Sequence, residues 1–183
     1  LRGTLAAEFP RDRLHALVDG DDDLDVPSWQ ALMALGLGGL ALPEDVGGSG
    51  LGLIDLAMAI EVIGERAGAG PILQHCLAAL AIALSAQNDA KAQWLPGIAG
   101  GETVATLALG AGWLPETWDV DHVGGRLFGD VRFVPGARAA DVFVTGTRGG
   151  GLALCPAGAG AAAGAGVAVT AHHSSDPSRK SAS

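Results

Sequence analysis

Gly100-Gly101-Glu102-Thr103-Val104-Ala105-Thr106-Leu107-Ala108-Leu109 is the stretch where the chain changes its period. Before it, apolar residues recur at the spacing of a helix face. From Val104 onward they alternate, with Val104, Thr106 and Ala108 set against Ala105, Leu107 and Leu109. Helix side chains return to one face every ~3.6 residues and strand side chains every ~2, so a switch at one point separates two kinds of structure. The pattern predicts an α+β fold, with an all-helical domain over 1–101 followed by an antiparallel β-barrel or sandwich domain over 102–183.

Upstream, Leu5, Phe9, Leu14, Leu17 and Val18 sit among charges between Thr4 and Val18. They predict one or two amphipathic helices, broken near Pro10 and stopped at Gly20. Asp25-Val26-Pro27 opens another helix, with Trp29, Leu32, Met33 and Leu35 on its apolar side and Gly36 at its end. Then comes Leu42-Pro43-Glu44-Asp45-Val46-Gly47-Gly48-Ser49-Gly50, a turn dense in glycine. It launches a helix at about Leu53 that is apolar over most of its circumference and is therefore expected to be buried. Gly68 and Gly70 end that helix, and Pro71 starts an Ala-rich one through Leu77–Leu84. Asn88-Asp89 caps a third through Trp94 and Leu95, which Pro96-Gly97 is expected to end.

Downstream, strand signals fall at Val120–Val123, Arg126–Val134, Val142–Thr145, Leu152–Cys155 and Val167–Thr170, with Gly124-Gly125 as a hairpin turn. Gly158–Gly166 is an Ala/Gly low-complexity loop, and His172–Ser183 is a polar tail.

Hydrophobic residues make up 49% of the 183-residue chain, enough to bury a core. The formal net charge of −9 excludes nucleic acid as the main partner, because phosphate binding needs clustered Lys and Arg. Cys76 and Cys155 stand far apart in apolar surroundings and read as core residues of a cytoplasmic protein. No leader opens the chain, and the longest apolar run, Leu77–Ala86, is too short to span a bilayer, so no membrane partner is expected.

Chemistry is scarce. The glycines of the 47–52 turn invite a dinucleotide site, but the third glycine of that fingerprint falls on Leu53 or Asp55. The acidic loop at Asp21, Asp23 and Asp25 starts like a calcium loop, yet Val26 and Leu32 replace its Gly and Glu, so no metal site is assigned. His172-His173-Ser174-Ser175-Asp176 holds the letters of a hydrolase triad in adjacent positions, where a triad draws them from separate segments. His75 reads as a core histidine. Glu61 and Glu65 read as a solvated face with an ion pair to Arg66.

The order of parts resembles the acyl-CoA dehydrogenase family. Trp29, the run Gly36–Gly50 and a helix with Ile60-Glu61-Val62-Ile63-Gly64 are similar to that family's N-terminal helical domain. Trp94–Glu102 resembles its helix-to-barrel junction. Gly129, Val134-Pro135-Gly136-Ala137, Ala140-Asp141 and Val144, with Asp176-Pro177-Ser178-Arg179, resemble its middle β domain in a divergent branch. The resemblance implies FAD as cofactor and oxidation of an acyl-CoA thioester to the trans-2-enoyl-CoA in lipid metabolism, on an unusual chain such as a sterol-derived or branched one. Electrons would pass to an electron-transfer flavoprotein, and the chain would form a homo- or hetero-oligomer with another acyl-CoA dehydrogenase chain.

Three departures shape what the resemblance implies for this sequence. The family's C-terminal helical domain, which carries the carboxylate base, has no counterpart before Ser183, so the chain is expected to be a fragment without a catalytic residue. The family's flavin-contacting Thr-Glu-Pro corresponds to Gly110-Ala111-Gly112, leaving backbone contacts from Leu109 and Gly110. Its Trp-Ile-Thr at the flavin ring corresponds to Phe133-Val134-Pro135. Leu109, Gly110, Phe133 and Val134 are thus the cofactor-binding candidates, with Phe133 open to the alternative of a barrel-core residue. A non-catalytic partner subunit of a heteromeric dehydrogenase is the second expectation, and a binding module without family ties the third. A face left for the missing domain is expected to expose apolar side chains and make the lone chain poorly soluble.

Overall fold

A computed structural model describes residues 1–8, 10–20, 22–68, 70–110, 112–158, 167–171 and 181–182. Six helices come first: α1 (Arg2–Glu8), α2 (Arg11–Asp19), α3 (Val26–Ala34), α4 (Leu53–Gly64), α5 (Ile72–Leu84) and α6 (Asn88–Gly100). Seven short strands follow: β1 (Ala105–Ala108), β2 (Asp121–Val123), β3 (Arg126–Phe128), β4 (Val134–Pro135), β5 (Val142–Thr147), β6 (Gly151–Pro156) and β7 (Ser181–Ala182). The triad letters at His172–Asp176, the Asp176–Arg179 motif and all but Gly158 of the Ala/Gly loop lie outside the described residues.

The helix starts follow their caps. The Asp25 carboxylate accepts the Ser28 N–H at 3.1 Å at the head of α3, and the Asp55 carboxylate accepts the Gly52 N–H at 2.9 Å at the head of α4. The glycine turn folds back on its own approach. The Ser49 N–H reaches the Gly39 carbonyl at 2.9 Å, and the Gly50 N–H reaches that of Leu42 at 2.8 Å. A Cβ on Gly48 would lie 2.0 Å from the Leu42 oxygen, so this turn is built from backbone packed on backbone and tolerates no side chain there.

Helix α6 does not stop at Pro96 but runs through it to Gly100. Pro96 and Ala92, whose carbonyl loses its donor, are both exposed, so water replaces the missing bond. Helix α4 is not a buried helix. Leu56, Ala59 and Ile63 face the core, while Leu53, Ile54 and Met58 are 64%, 77% and 61% exposed. The expected ion pair on that helix also has a different partner, since Glu65 bonds Arg2 of α1.

The β half is a mixed sheet of three strands in the order β1-β5-β6, with β2-β3 and β4-β7 as separate two-stranded pairs. The hairpin at Gly124-Gly125 is present, with both glycines at positive φ (58° and 75°) and Val123 opposite Arg126. Three strand expectations change. Strands β1 and β5 pair in parallel, Ala105 opposite Val142 through Ala108 opposite Thr145, where antiparallel pairing was expected. Parallel partners need a long crossover, which the chain from 109 to 141 supplies without any local signature. The span Arg126–Val134 is two strands, interrupted at Gly129 to Phe133, and Val167–Thr170 forms no strand.

Helix α5 packs on the sheet and joins the two halves. Ala78, Ala79 and Ile82 of α5 meet Ala105 and Leu107 of β1 and Val142 and Val144 of β5 in one core with Leu95 and Ile98 of α6. On the opposite face of the sheet, Ala108 and Phe143 pack with Val134, Ala137 and Ala140. Both faces of β1 and β5 are covered, as their near-continuous apolar sequence requires.

The junction between helices and sheet is the most fully bonded polar region. The buried His75 ring donates from Nε2 to the Ile98 carbonyl (3.0 Å) and accepts the Ala105 N–H at Nδ1 (3.2 Å). Trp29 meets that ring edge-on at 4.8 Å and donates its indole N–H to the Gly101 carbonyl at 2.9 Å. Burial holds the imidazole down at about 4, so it stays neutral as this bonding pattern demands. The Asp141 carboxylate accepts the Val104 N–H at 2.8 Å. Asp23, whose side chain is 2% exposed, accepts from the Arg138 N–H, Nε and Nη2 at 3.1, 3.0 and 2.8 Å.

Candidate functional site

Strand β1 ends at Ala108, and the chain leaves the sheet through Leu109 and Gly110. There a cleft of about 450 Å³ opens, walled by Leu109, Gly110, Trp118, Val131, Phe133 and Gly146. The structure thus brings together three of the four residues singled out in the sequence, Leu109, Gly110 and Phe133. The fourth, Val134, is 4% exposed and packs in the core with Ala108 and Phe143. It borders an adjoining cavity of about 780 Å³, which shares Ala108, Val120, Asp130 and Val131 with the cleft.

Phe133 is not a core residue. It is 57% exposed, and its backbone stands at φ +61°, in the left-handed region that a bulky residue rarely adopts. That conformation costs about 1–2 kcal/mol and persists only where surrounding structure holds it. It sets Phe133 at the cleft while the next residue, Val134, enters the core.

The segment that carries Trp118 is self-supporting. A short 3-10 turn at Pro115–Thr117 precedes Trp118, and the Thr117 hydroxyl donates to the Leu114 carbonyl at 2.7 Å. Trp118 donates its indole N–H to the Gly112 carbonyl at 3.1 Å and rests on the main chain of Gly146, where an added Cβ would come within 2.3 Å of the indole. Sequence reasoning did not single out Trp118, because its partner on β5 lies 28 positions away and leaves no local mark.

The cleft can hold a flat ring against aromatic and main-chain surfaces, with Asp119, Asp130 and Arg132 also in its lining. These residues fit the ring system of a flavin. Its basic side chain is Arg132, whose Nε already donates to Asp130 at 3.2 Å, and Asp119 adds a second carboxylate. Arg148 nearby in sequence space to β5 is bound by Asp119 and Asp121, whose bonds hold its guanidinium more firmly protonated. Among the described residues the cleft therefore offers a ring surface and no uncommitted cation for a diphosphate.

The remaining candidates resolve into structure. Among the described residues, no cluster of three or more His, Cys, Asp or Glu side chains is arranged for a metal ion. Cys76 is buried against the Leu37 carbonyl, and burial pushes its thiol up to about 12, which makes it inert. Burial likewise raises the half-buried Cys155 thiol. His15 and His122 are exposed, as are Glu61 and Glu65. No described helix is long and apolar enough to cross a membrane.

Comparison with known proteins bears on this geometry. The family model "Acyl-CoA dehydrogenase, N-terminal domain" matches residues 4–102. The acyl-CoA dehydrogenase FadE28 of Mycobacterium tuberculosis is 33% identical over 119 residues, which are 62% of this chain and 34% of FadE28. Among solved structures, a variant of the Tcur3481-Tcur3483 steroid ACAD superposes with a TM-score of 0.85 at 27% identity, over 99% of this chain and 51% of that one. The ChsE4-ChsE5 complex from Mycobacterium tuberculosis shares the fold with a TM-score of 0.83 at 24% identity, over 99% of this chain and 50% of that one. An acyl-CoA dehydrogenase from Bacillus anthracis complexed with FAD shares it at 0.72 and 20% identity, over 99% of this chain and 34% of that one. The chain thus spans about half the length of the first two structures and, in its matched part, about a third of FadE28.

Proposed function

This chain belongs to the acyl-CoA dehydrogenase family, and from that premise we propose that it is the N-terminal and middle portion of an FAD-dependent enzyme that oxidises an acyl-CoA thioester to the trans-2-enoyl-CoA. Its two domains would be residues 1–101 and 102–183, and its setting cytoplasmic lipid metabolism. The similarity to a steroid ACAD supports a sterol-derived or branched acyl chain as substrate. An electron-transfer flavoprotein would be the electron acceptor.

The single observation behind this reading is the convergence of Leu109, Gly110 and Phe133 on one cleft. FAD, when bound, supplies the hydride acceptor. The chain's own residues do three things. Phe133 presents an exposed aromatic face to the ring. Leu109 and Gly110 offer main-chain groups, since the Gly110-Ala111-Gly112 segment carries no side-chain hydroxyl or carboxylate. Phe133, Trp118 and Leu109 together exclude water from one side of a bound ring. No residue of this chain is assigned as catalytic base.

The test is to express the chain with a segment equivalent to the second half of its relatives and with co-encoded homologues. A yellow protein whose flavin absorbance is bleached by an acyl-CoA is expected. A colourless, inert assembly overturns the proposal.

A second reading has its own observation. The loss of polar side chains at Gly110-Ala111-Gly112 suits a non-catalytic subunit that pairs with an active dehydrogenase, and the ChsE4-ChsE5 structure is a complex of two named components. Flavin content per chain of a purified heteromer separates the two. Flavin held solely by the partner chain favours the second.

A further inference from the structure

We propose that Trp118 is a flavin-binding residue of this cleft, adding a second aromatic surface to that of Phe133 for the isoalloxazine ring. The inference rests on the flavin reading above and extends it to a residue that neither the sequence motifs nor the family model covers, since the latter ends at residue 102.

Three observations carry it. First, Trp118 and Phe133 wall the same cleft from different segments, and Leu109 and Gly146 line it with them. Second, the indole is locked. Its N–H is held by the Gly112 carbonyl at 3.1 Å, and Gly146 clears the space beneath it, because any Cβ there would come within 2.3 Å of the ring. A bulky side chain that is already immobilised loses little rotamer freedom when a ligand stacks on it, which is the condition for a binding wall. Third, several polar groups beside the two rings already have partners within the chain. Arg132 bonds Asp130, the indole N–H bonds Gly112, and the Thr117 hydroxyl bonds Leu114. Beside the main-chain groups of Leu109 and Gly110, the cleft offers a ligand aromatic surface, which recognises a flat, electron-poor ring system by stacking.

Titration of the whole chain with FAD and with riboflavin, followed by flavin fluorescence and by tryptophan emission, tests this. Wild type is expected to bind both flavins and to lose tryptophan emission on binding. Trp118→Leu is expected to bind both at least about tenfold more weakly. Trp118→Phe keeps an aromatic face, so it is expected to bind within about threefold of wild type while losing most of the tryptophan quenching. Trp113→Phe, in the same loop, should retain both binding and quenching. Circular dichroism checks that each variant is folded, and if Trp118→Leu is not, the quenching in Trp118→Phe decides. Wild-type affinity in folded Trp118→Leu, or full quenching in Trp118→Phe, overturns the role of Trp118 and leaves the flavin reading standing. A wild-type chain that binds neither flavin, alone or in the assembly tested above, overturns the flavin reading itself, and this inference with it.

Discussion

The junction between helices and sheet and the cleft at the end of β1 lie on the same strand, yet they are built in opposite ways. At the junction, His75 and Trp29 are buried and every polar atom named there has a partner. At the cleft, Phe133 is 57% exposed on a left-handed backbone, and the loop beside it exposes Trp113 and Leu114 at 66% and 59%. The first arrangement suits stability, because each buried polar group is satisfied. The second is what the proposed binding role needs, because it leaves aromatic surface open to a ligand. Membership of the family is written in residues 4–102, whereas the proposed flavin contacts fall in the region where the chain departs most from the family pattern.

If that division is right, substitutions at the junction should damage stability far more than those elsewhere. Replacing Arg138 by Met should have the largest effect. It strands the Asp23 carboxylate, whose side chain is 2% exposed, and should cost about 3 kcal/mol, read as a lowered urea midpoint. An unchanged midpoint would mean that water reaches Asp23 and the junction is looser than described.

His75 should give a comparable loss that depends on pH. Its imidazole stands at about 4 in the fold against 6.5 ordinarily, because burial favours the neutral form. The folded state therefore binds fewer protons than the unfolded one. The contribution is fully present above about 6.5 and falls away as pH drops to about 4, by at most about 3 kcal/mol. His75→Gln, which can still donate and accept but does not titrate, should flatten this part of the stability–pH curve relative to wild type. Parallel curves for the two proteins would show that His75 is not the titrating group.

The exposed face of α4 should respond least. Ile54→Glu changes a residue that is 77% exposed, so stability should move by no more than about 0.5 kcal/mol. Light scattering should show less self-association than wild type, because Leu53, Ile54 and Met58 form a contiguous apolar patch. A large loss of stability would place Ile54 inside a packed contact.

What was legible in the sequence was whatever is encoded locally. Asp25 and Pro27 announced α3, Pro71 announced α5, and Gly124-Gly125 announced the β2–β3 hairpin, because caps and turns act over a few residues. His75 was recognisable as a core residue from its helix. The parallel pairing of β1 with β5 was not legible, since it depends on a crossover of more than thirty residues. Nor was the Asp23–Arg138 pair, whose partners are 115 positions apart. Pro96 misled because a proline is tolerated within a helix where the orphaned carbonyl meets water. The helix from Leu53 misled because its periodicity cannot say whether an apolar face is covered by the rest of the chain. At the cleft, Leu109, Gly110 and Phe133 were legible only through resemblance, and Trp118 not at all, because its meaning comes from a glycine on another strand.

The most direct test of the division between junction and cleft is flavin binding and thermal unfolding of Phe133→Gly, measured on the same preparation. Glycine adopts φ +61° without the steric cost that Phe133 carries, so the variant should be as stable as wild type or up to about 1 kcal/mol more stable. It also loses the aromatic face, so FAD should bind at least about tenfold more weakly. Unchanged flavin affinity in Phe133→Gly would contradict the account, because the strained, exposed ring would then have no part in holding the cofactor.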